Sequence, residues 1–143
     1  MCPPIPKYIP TWENRDDPLA KKYPLQLLTN HWKGRANCQY ANIPWLKEHS
    51  PQALHINTRD ADERGIRNGD KVRVFNDRGE TVIAAEVTER MMPGAVILPF
   101  GTWYDPDEEG VDRAGASNIL TRDEPSPAGS FAYNTALVQV QKA

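Results

Sequence analysis

The run from Asn68 to Leu98 constrains the fold more than any other part of the chain. Asn68-Gly69 is a turn dipeptide. Lys71-Val72-Arg73-Val74-Phe75-Asn76 then alternates polar and apolar side chains, the pattern of a strand with one face buried. Asp77-Arg78-Gly79 turns the chain, and Thr81-Val82-Ile83-Ala84-Ala85-Glu86-Val87-Thr88 returns as the second strand of a hairpin. Pro93-Gly94 turns it again. Ala95-Val96-Ile97-Leu98 is apolar throughout, which predicts cover on both faces.

The flanking segments agree. Leu25-Gln26-Leu27-Leu28-Thr29 reads as a buried strand after Pro24, Ala53 to Ile56 as a short strand, and Thr135 to Gln141 as the closing strand. Asn118-Ile119-Leu120-Thr121 reads as a short strand within a loop. Ile43 to Glu48 is predicted to make one helical turn. Asn57 heads a second short helix: its side chain caps the first turn, Asp60 suits the helix dipole, and Gly65 stops it. Six or so short strands with little helix point to a mainly β, closed barrel. Two polar segments, 30–42 and 101–127, are long loops for so small a domain, and ordered long loops are commonly functional.

Six of the 13 prolines, Pro3, Pro4, Pro6, Pro10, Pro18 and Pro24, crowd the start of the chain. Each removes a backbone donor and restricts its predecessor. Residues 1–22 therefore read as a Pro-rich arm or interdomain linker, and 23–143 as the folded domain. The arm's few apolar residues, Ile5, Tyr8, Ile9 and Trp12, bury too little to offset its ordering entropy, so it is expected to be mobile to about Asp17.

Composition excludes several functions. Hydrophobic residues are 39% of 143, enough for one core and no more. The net charge of −2 argues against a polyanion binder, and no nucleic-acid partner is expected. No apolar stretch approaches the roughly 20 residues of a membrane span, so direct membrane insertion is not expected. No basic start and apolar run mark a targeting signal. Cys2 and Cys38 form no Cys-x-x-Cys, and two free thiols are expected. His31, His49, His55 and Cys38 fit no metal-ligand spacing, so no metal site is assigned. Asp105-Pro106-Asp107-Glu108-Glu109 reads as a solvated turn. No nucleophile elbow, phosphate loop or dinucleotide fingerprint occurs, and no residue is assigned a catalytic role. What remains is Thr29-Asn30-His31-Trp32-Lys33-Gly34-Arg35-Ala36-Asn37-Cys38-Gln39-Tyr40. Amides, aromatics and an arginine fork directly after a strand suit a flat, phosphate-bearing ligand. Taken alone, the residues favour an ordinary polar loop over that reading.

Ala61 to Gly79, Met92-Pro93-Gly94 followed by Gly101-Thr102-Trp103-Tyr104-Asp105-Pro106, Asn118-Ile119-Leu120-Thr121 and Ser126-Pro127 together resemble one family. It is the C-terminal molybdopterin-dinucleotide-binding domain of the dimethyl sulfoxide reductase family, and the likeness runs from about Tyr23 to the end. Within it, the chain is most similar to catalytic subunits of bacterial membrane-anchored anaerobic dimethyl sulfoxide reductases. The resemblance implies a six-stranded double-psi β-barrel with short helices and long loops. It also implies a fragment of a longer catalytic subunit, one that helps hold bis(molybdopterin guanine dinucleotide) with molybdenum while S-oxides or N-oxides are reduced. The isolated domain is expected to be inactive and to lack the cofactor. The implied partners are the remaining domains of the same subunit, an iron–sulfur electron-transfer subunit and a membrane anchor subunit. The implied location of the whole enzyme is the periplasmic side of the inner membrane or the cell exterior.

Carried over by position, the family's first cofactor loop matches Thr29 to Gln39, with Asn30, His31 and Arg35 toward the pterin or its pyrophosphate. Asn118 matches a pterin-binding asparagine and Asn134 a polar residue near the last strand. Trp103 and Tyr104 match an aromatic loop near the active-site entrance. Asn37-Cys38 stands where relatives often carry His followed by Ser or Thr. Two other readings fit the residues: a stand-alone double-psi barrel for interaction, and a single-stranded nucleic-acid binder stacking bases on Trp32, Tyr40 and Trp45.

Overall fold

The computed structural model describes residues 4–10, 12–131 and 133–143. Six strands, β1 (Leu25–Leu28), β2 (Leu54–Ile56), β3 (Lys71–Phe75), β4 (Glu80–Val87), β5 (Ala95–Ile97) and β6 (Ala136–Lys142), close into a barrel in the order β1-β5-β2-β4-β3-β6. This is the mainly β, double-psi barrel expected above. Later strands interleave with earlier ones: β5 lies between β1 and β2, and β4 between β2 and β3. β1 runs parallel to β5 and β2 parallel to β4, while the other neighbours are antiparallel.

The alternation read from the sequence fills the interior. Val72 and Val74 of β3 are buried while Lys71 is exposed. Leu25, Leu27, Leu54, Ile56, Val96, Val138 and Val140 meet them in one core. Each such side chain contributes about 1.5–3 kcal/mol of transfer free energy. Two short helices lie outside it, α1 (Pro44–His49) and α2 (Thr58–Asp62). The Asn57 side chain accepts from Arg59 N at 2.8 Å and caps α2 as predicted.

Two expectations need correction. Residues 118–121 do not form a strand; a 3-10 helix runs Ser117–Leu120 instead. Leu120 is fully buried, and its carbonyl accepts from Asn76 Nδ2 at 2.8 Å and Arg78 Nε at 3.0 Å, so side chains occupy the position a neighbouring strand would take. The arm, too, departs from expectation. Residues 4–10 are exposed, but Glu13 is only 4% exposed. Arg78 donates to its carboxylate from Nη1 at 2.6 Å and Nη2 at 3.0 Å, and Leu137 N donates at 2.8 Å. Removing one member of a buried pair costs about 3–5 kcal/mol, toward the lower end here because the Arg78 side chain keeps 30% exposure. Mobility to Asp17 overlooked this anchor because its partners stand 65 and 124 positions away. Cys2 lies outside the described residues, and Cys38 is free and exposed.

Three aspartates contribute to the acid response. Lys22 and then Tyr23 hold Asp77 below the usual carboxylate range. Lys142 and the Arg67 amide do the same for Asp70, and the Val111 amide, Arg113 and the Glu109 amide for Asp107. A depressed folded-state value gives stability that is present above the unfolded value, about 3.9, and lost as pH falls through the folded one. Thermal unfolding midpoints should therefore stay level from neutrality to about pH 5 and fall below about pH 4. Asp77→Asn should remove part of that fall.

Candidate functional site

The topology sends both long polar loops to one end of the barrel. The C-terminal ends of β1, β3 and β5 and the N-terminal ends of β2, β4 and β6 lie together, as the pairs Leu28↔Ile97, His55↔Ile97, Leu27↔Ala136 and Phe75↔Glu80 require. Segments 29–53, 76–79 and 98–135 all emerge there, whereas 57–70 and 88–94 cross the opposite end. All eight residues carried over from the sequence, Thr29, Asn30, His31, Arg35, Gln39, Trp103, Asn118 and Asn134, belong to this loop end.

Within it they divide. Asn30, His31, Gln39, Asn118 and Asn134 are exposed. The Asn134 side chain accepts from Thr29 N at 2.6 Å, joining the exit of β1 to the approach of β6. His31 packs edge-on against Phe100, with ring centroids 4.5 Å apart, and Phe100 N donates to Asn30 O at 3.2 Å. Asn118 rides on the 3-10 helix that Asn76 and Arg78 hold through Leu120 O. The Asp77-Arg78-Gly79 motif is thus both a turn and the seat of that helix.

Arg35 and Trp103 line a cleft of about 590 Å³ beside Trp32, Tyr40, Gln52 and Tyr104. The other six do not line it. Trp103 Nε1 donates to Cys38 O at 3.0 Å, tying the two long loops together across the cleft. Gly101 makes the second tie. It has φ +98°, and a Cβ on it would stand 2.0 Å from the Asn37 carbonyl oxygen. Asn37 and Tyr40 take the left-handed conformation at φ 55° and 71°, common for asparagine and costly for tyrosine.

Sequence reading missed the residues that hold these loops. Asp112 is fully buried, and its carboxylate accepts from the backbone N–H groups of Asp105, Ala114, Gly115 and Ala116 and from the Thr81 hydroxyl. Nothing in a solvated-looking run such as Val111-Asp112-Arg113 signals that role. Gln52 is the other. Among the described residues four buried side-chain polar atoms lack a partner: Arg35 Nε, Thr102 Oγ1 and Ser117 Oγ belong to the loops of this end, and His55 Nε2 to β2. Among the described residues, no group of three or more His, Cys, Asp or Glu is placed to hold a metal, and no helix is long and apolar enough to cross a membrane.

A barrel whose long loops collect amides, a histidine and an arginine at one end can be set beside known proteins. The family model described as "Molydopterin dinucleotide binding domain" matches residues 25–136. The chain belongs to this molybdopterin dinucleotide binding domain family. Dimethyl sulfoxide reductase DmsA of Escherichia coli strain K12 is 53% identical over 140 residues, which are 97% of this chain and 17% of that protein. The probable dimethyl sulfoxide reductase chain YnfF of the same strain is 47% identical over 142 residues, covering 97% of this chain and 18% of that one. The chain thus spans under a fifth of the length of these relatives. Acetylene hydratase from Pelobacter acetylenicus shares the fold, with a TM-score of 0.81 at 18% identity over 98% of this chain and 21% of its own.

Proposed function

We propose that this chain is a cofactor-binding domain of a molybdenum oxidoreductase of the dimethyl sulfoxide reductase type, and that its loop end covers bis(molybdopterin guanine dinucleotide). The observation that carries the reading is the convergence of segments 29–39 and 101–104, Asn118 and Asn134 on one end of the barrel. The donor set there fits a pterin dinucleotide. Exposed Asn30, His31 and Asn118 offer amide and imidazole groups for a heterocycle's edge, and Ser117 Oγ, beside Asn118, is buried without a partner. When bound, the cofactor supplies the redox chemistry that removes oxygen from an S-oxide or N-oxide such as dimethyl sulfoxide. The chain's own part is to bind, orient and exclude water. Arg35 adds positive charge, and Trp103 closes the rim of the cleft.

The same proposal takes 23–143 as the domain and 1–22 as the link to the remaining domains, with Glu13 docking its second half. It places the whole enzyme on the periplasmic side of the inner membrane or at the cell exterior, working with an iron–sulfur subunit and a membrane anchor. The test is molybdenum content per purified longer protein. Arg35→Ala should lower it most, since a charge-assisted contact is worth about 1.5–3 kcal/mol. Asn118→Ala should lower it less, by the loss of a neutral hydrogen bond worth about 1 kcal/mol. Unchanged content in both variants sinks the site assignment.

A further inference from the structure

Gln52 lies between Pro51 and Ala53, just ahead of β2, and no motif includes it. Its side-chain amide is used at both ends. Nε2 donates to Pro99 O at 2.6 Å and Gly115 O at 3.1 Å, and Oε1 accepts from Arg35 Nη2 at 2.8 Å. Three segments thus meet on one neutral side chain: the loop after β1, the exit of β5, and the loop that Asp112 organises. Packing around it is tight, since a Cβ on Gly115, itself at φ +77°, would stand 3.0 Å from Gln52 Cγ. Arg35 Nη2 also donates to Phe100 O at 3.1 Å, so both of its acceptors are neutral. Burial alone lowers the basicity of this half-buried guanidinium.

The chemistry of the acceptor matters. A carboxylate at this position would hold Arg35 equally well but would cancel its charge. An amide oxygen fixes the guanidinium and leaves the charge in place for an anionic group of a ligand. The amide's other end meanwhile binds two carbonyls that a carboxylate would repel. We propose that Gln52 is a positioning residue that sets Arg35 at the cleft as a fixed, uncancelled cation. This rests on the reading that the loop end receives the cofactor.

Two arms separate the inference from that reading. In this chain, nitrogen NMR of the Arg35 side chain should show a guanidinium in slow rotation, with its terminal nitrogens resolved. Gln52→Met should merge those signals while the strand amides stay in place, and Gln52→Glu should keep them resolved. Arg35 signals unchanged in Gln52→Met overturn the proposal; if that variant does not fold, Gln52→Ala, which also lacks the acceptor, is read in the same way. In the longer protein, Gln52→Glu should lose molybdenum several-fold although Arg35 stays fixed, because its charge is cancelled. Wild-type molybdenum content in Gln52→Glu contradicts the proposal. Arg35→Ala is the reference. If it retains its molybdenum, the cofactor reading fails at Arg35, and the NMR arm still decides whether Gln52 positions it.

Discussion

Alanine in place of Asp112 is expected to lower stability by about 3–5 kcal/mol, among the largest effects of any single change in this chain. The carboxylate takes five donors inside the protein, from Asp105, Ala114, Gly115 and Ala116 N–H and from the Thr81 hydroxyl. Each hydrogen bond to a charged group is worth about 1.5–3 kcal/mol, and donors left unpaired in a buried site add a desolvation cost. The terms do not sum, because water enters the space and the loop relaxes. Asp112→Asn should cost less: it keeps one acceptor oxygen but turns an amide donor toward donors. Denaturant unfolding of both variants checks the order. A loss below about 1 kcal/mol for Asp112→Ala would mean that the loop holds without its hub.

The second large effect is expected at Gly101. Alanine there meets two costs at once. Its φ of +98° is one that L side chains rarely adopt, and its Cβ would stand 2.0 Å from the Asn37 carbonyl oxygen. Backbone strain of about 1–3 kcal/mol and overpacking of about 1–3 kcal/mol together predict a loss of roughly 2–6 kcal/mol. Gly129 is the internal control, with φ +83° and nothing within 4 Å of its would-be Cβ. Gly129→Ala should show the backbone cost alone. Equal losses at the two positions would remove the argument that Gly101 couples the loops. The Gly101 variant should also expose Cys38 further, because Asn37 must move, and a faster thiol reaction would record it.

The sequence carried the parts of the fold that local rules decide. Alternation in Lys71–Phe75, the Asn68-Gly69 and Asp77-Arg78-Gly79 turns and the apolar run from Ala95 gave the hairpin and the covered strand. Those features depend on neighbours a few residues away. Asn118 to Thr121 misled because an apolar pair beside a β-branched residue reads as strand, whereas side-chain bonds to Leu120 O make it helical. Glu13 was illegible for a different reason. A carboxylate in a Pro-rich arm looks solvated until the fold brings Arg78 and Leu137 to it. Gln52 and Asp112 are the same case: their roles come from backbone groups of distant loops, which composition and spacing do not encode. The loop end was partly legible. Its residues could be named by resemblance, but only the strand order places segments 29–39 and 117–134 on one end, and only the side-chain geometry sets Arg35 and Trp103 apart in the cleft.

Backbone hydrogen exchange, compared between this chain alone and the same residues within the cofactor-loaded longer protein, tests the central claim most directly. The account predicts added protection at the loop end, in 29–39, 101–104, 117–121 and 133–135, with little change in 57–70 and 88–94 at the opposite end. Protection concentrated at the opposite end, or spread evenly over both, would contradict it.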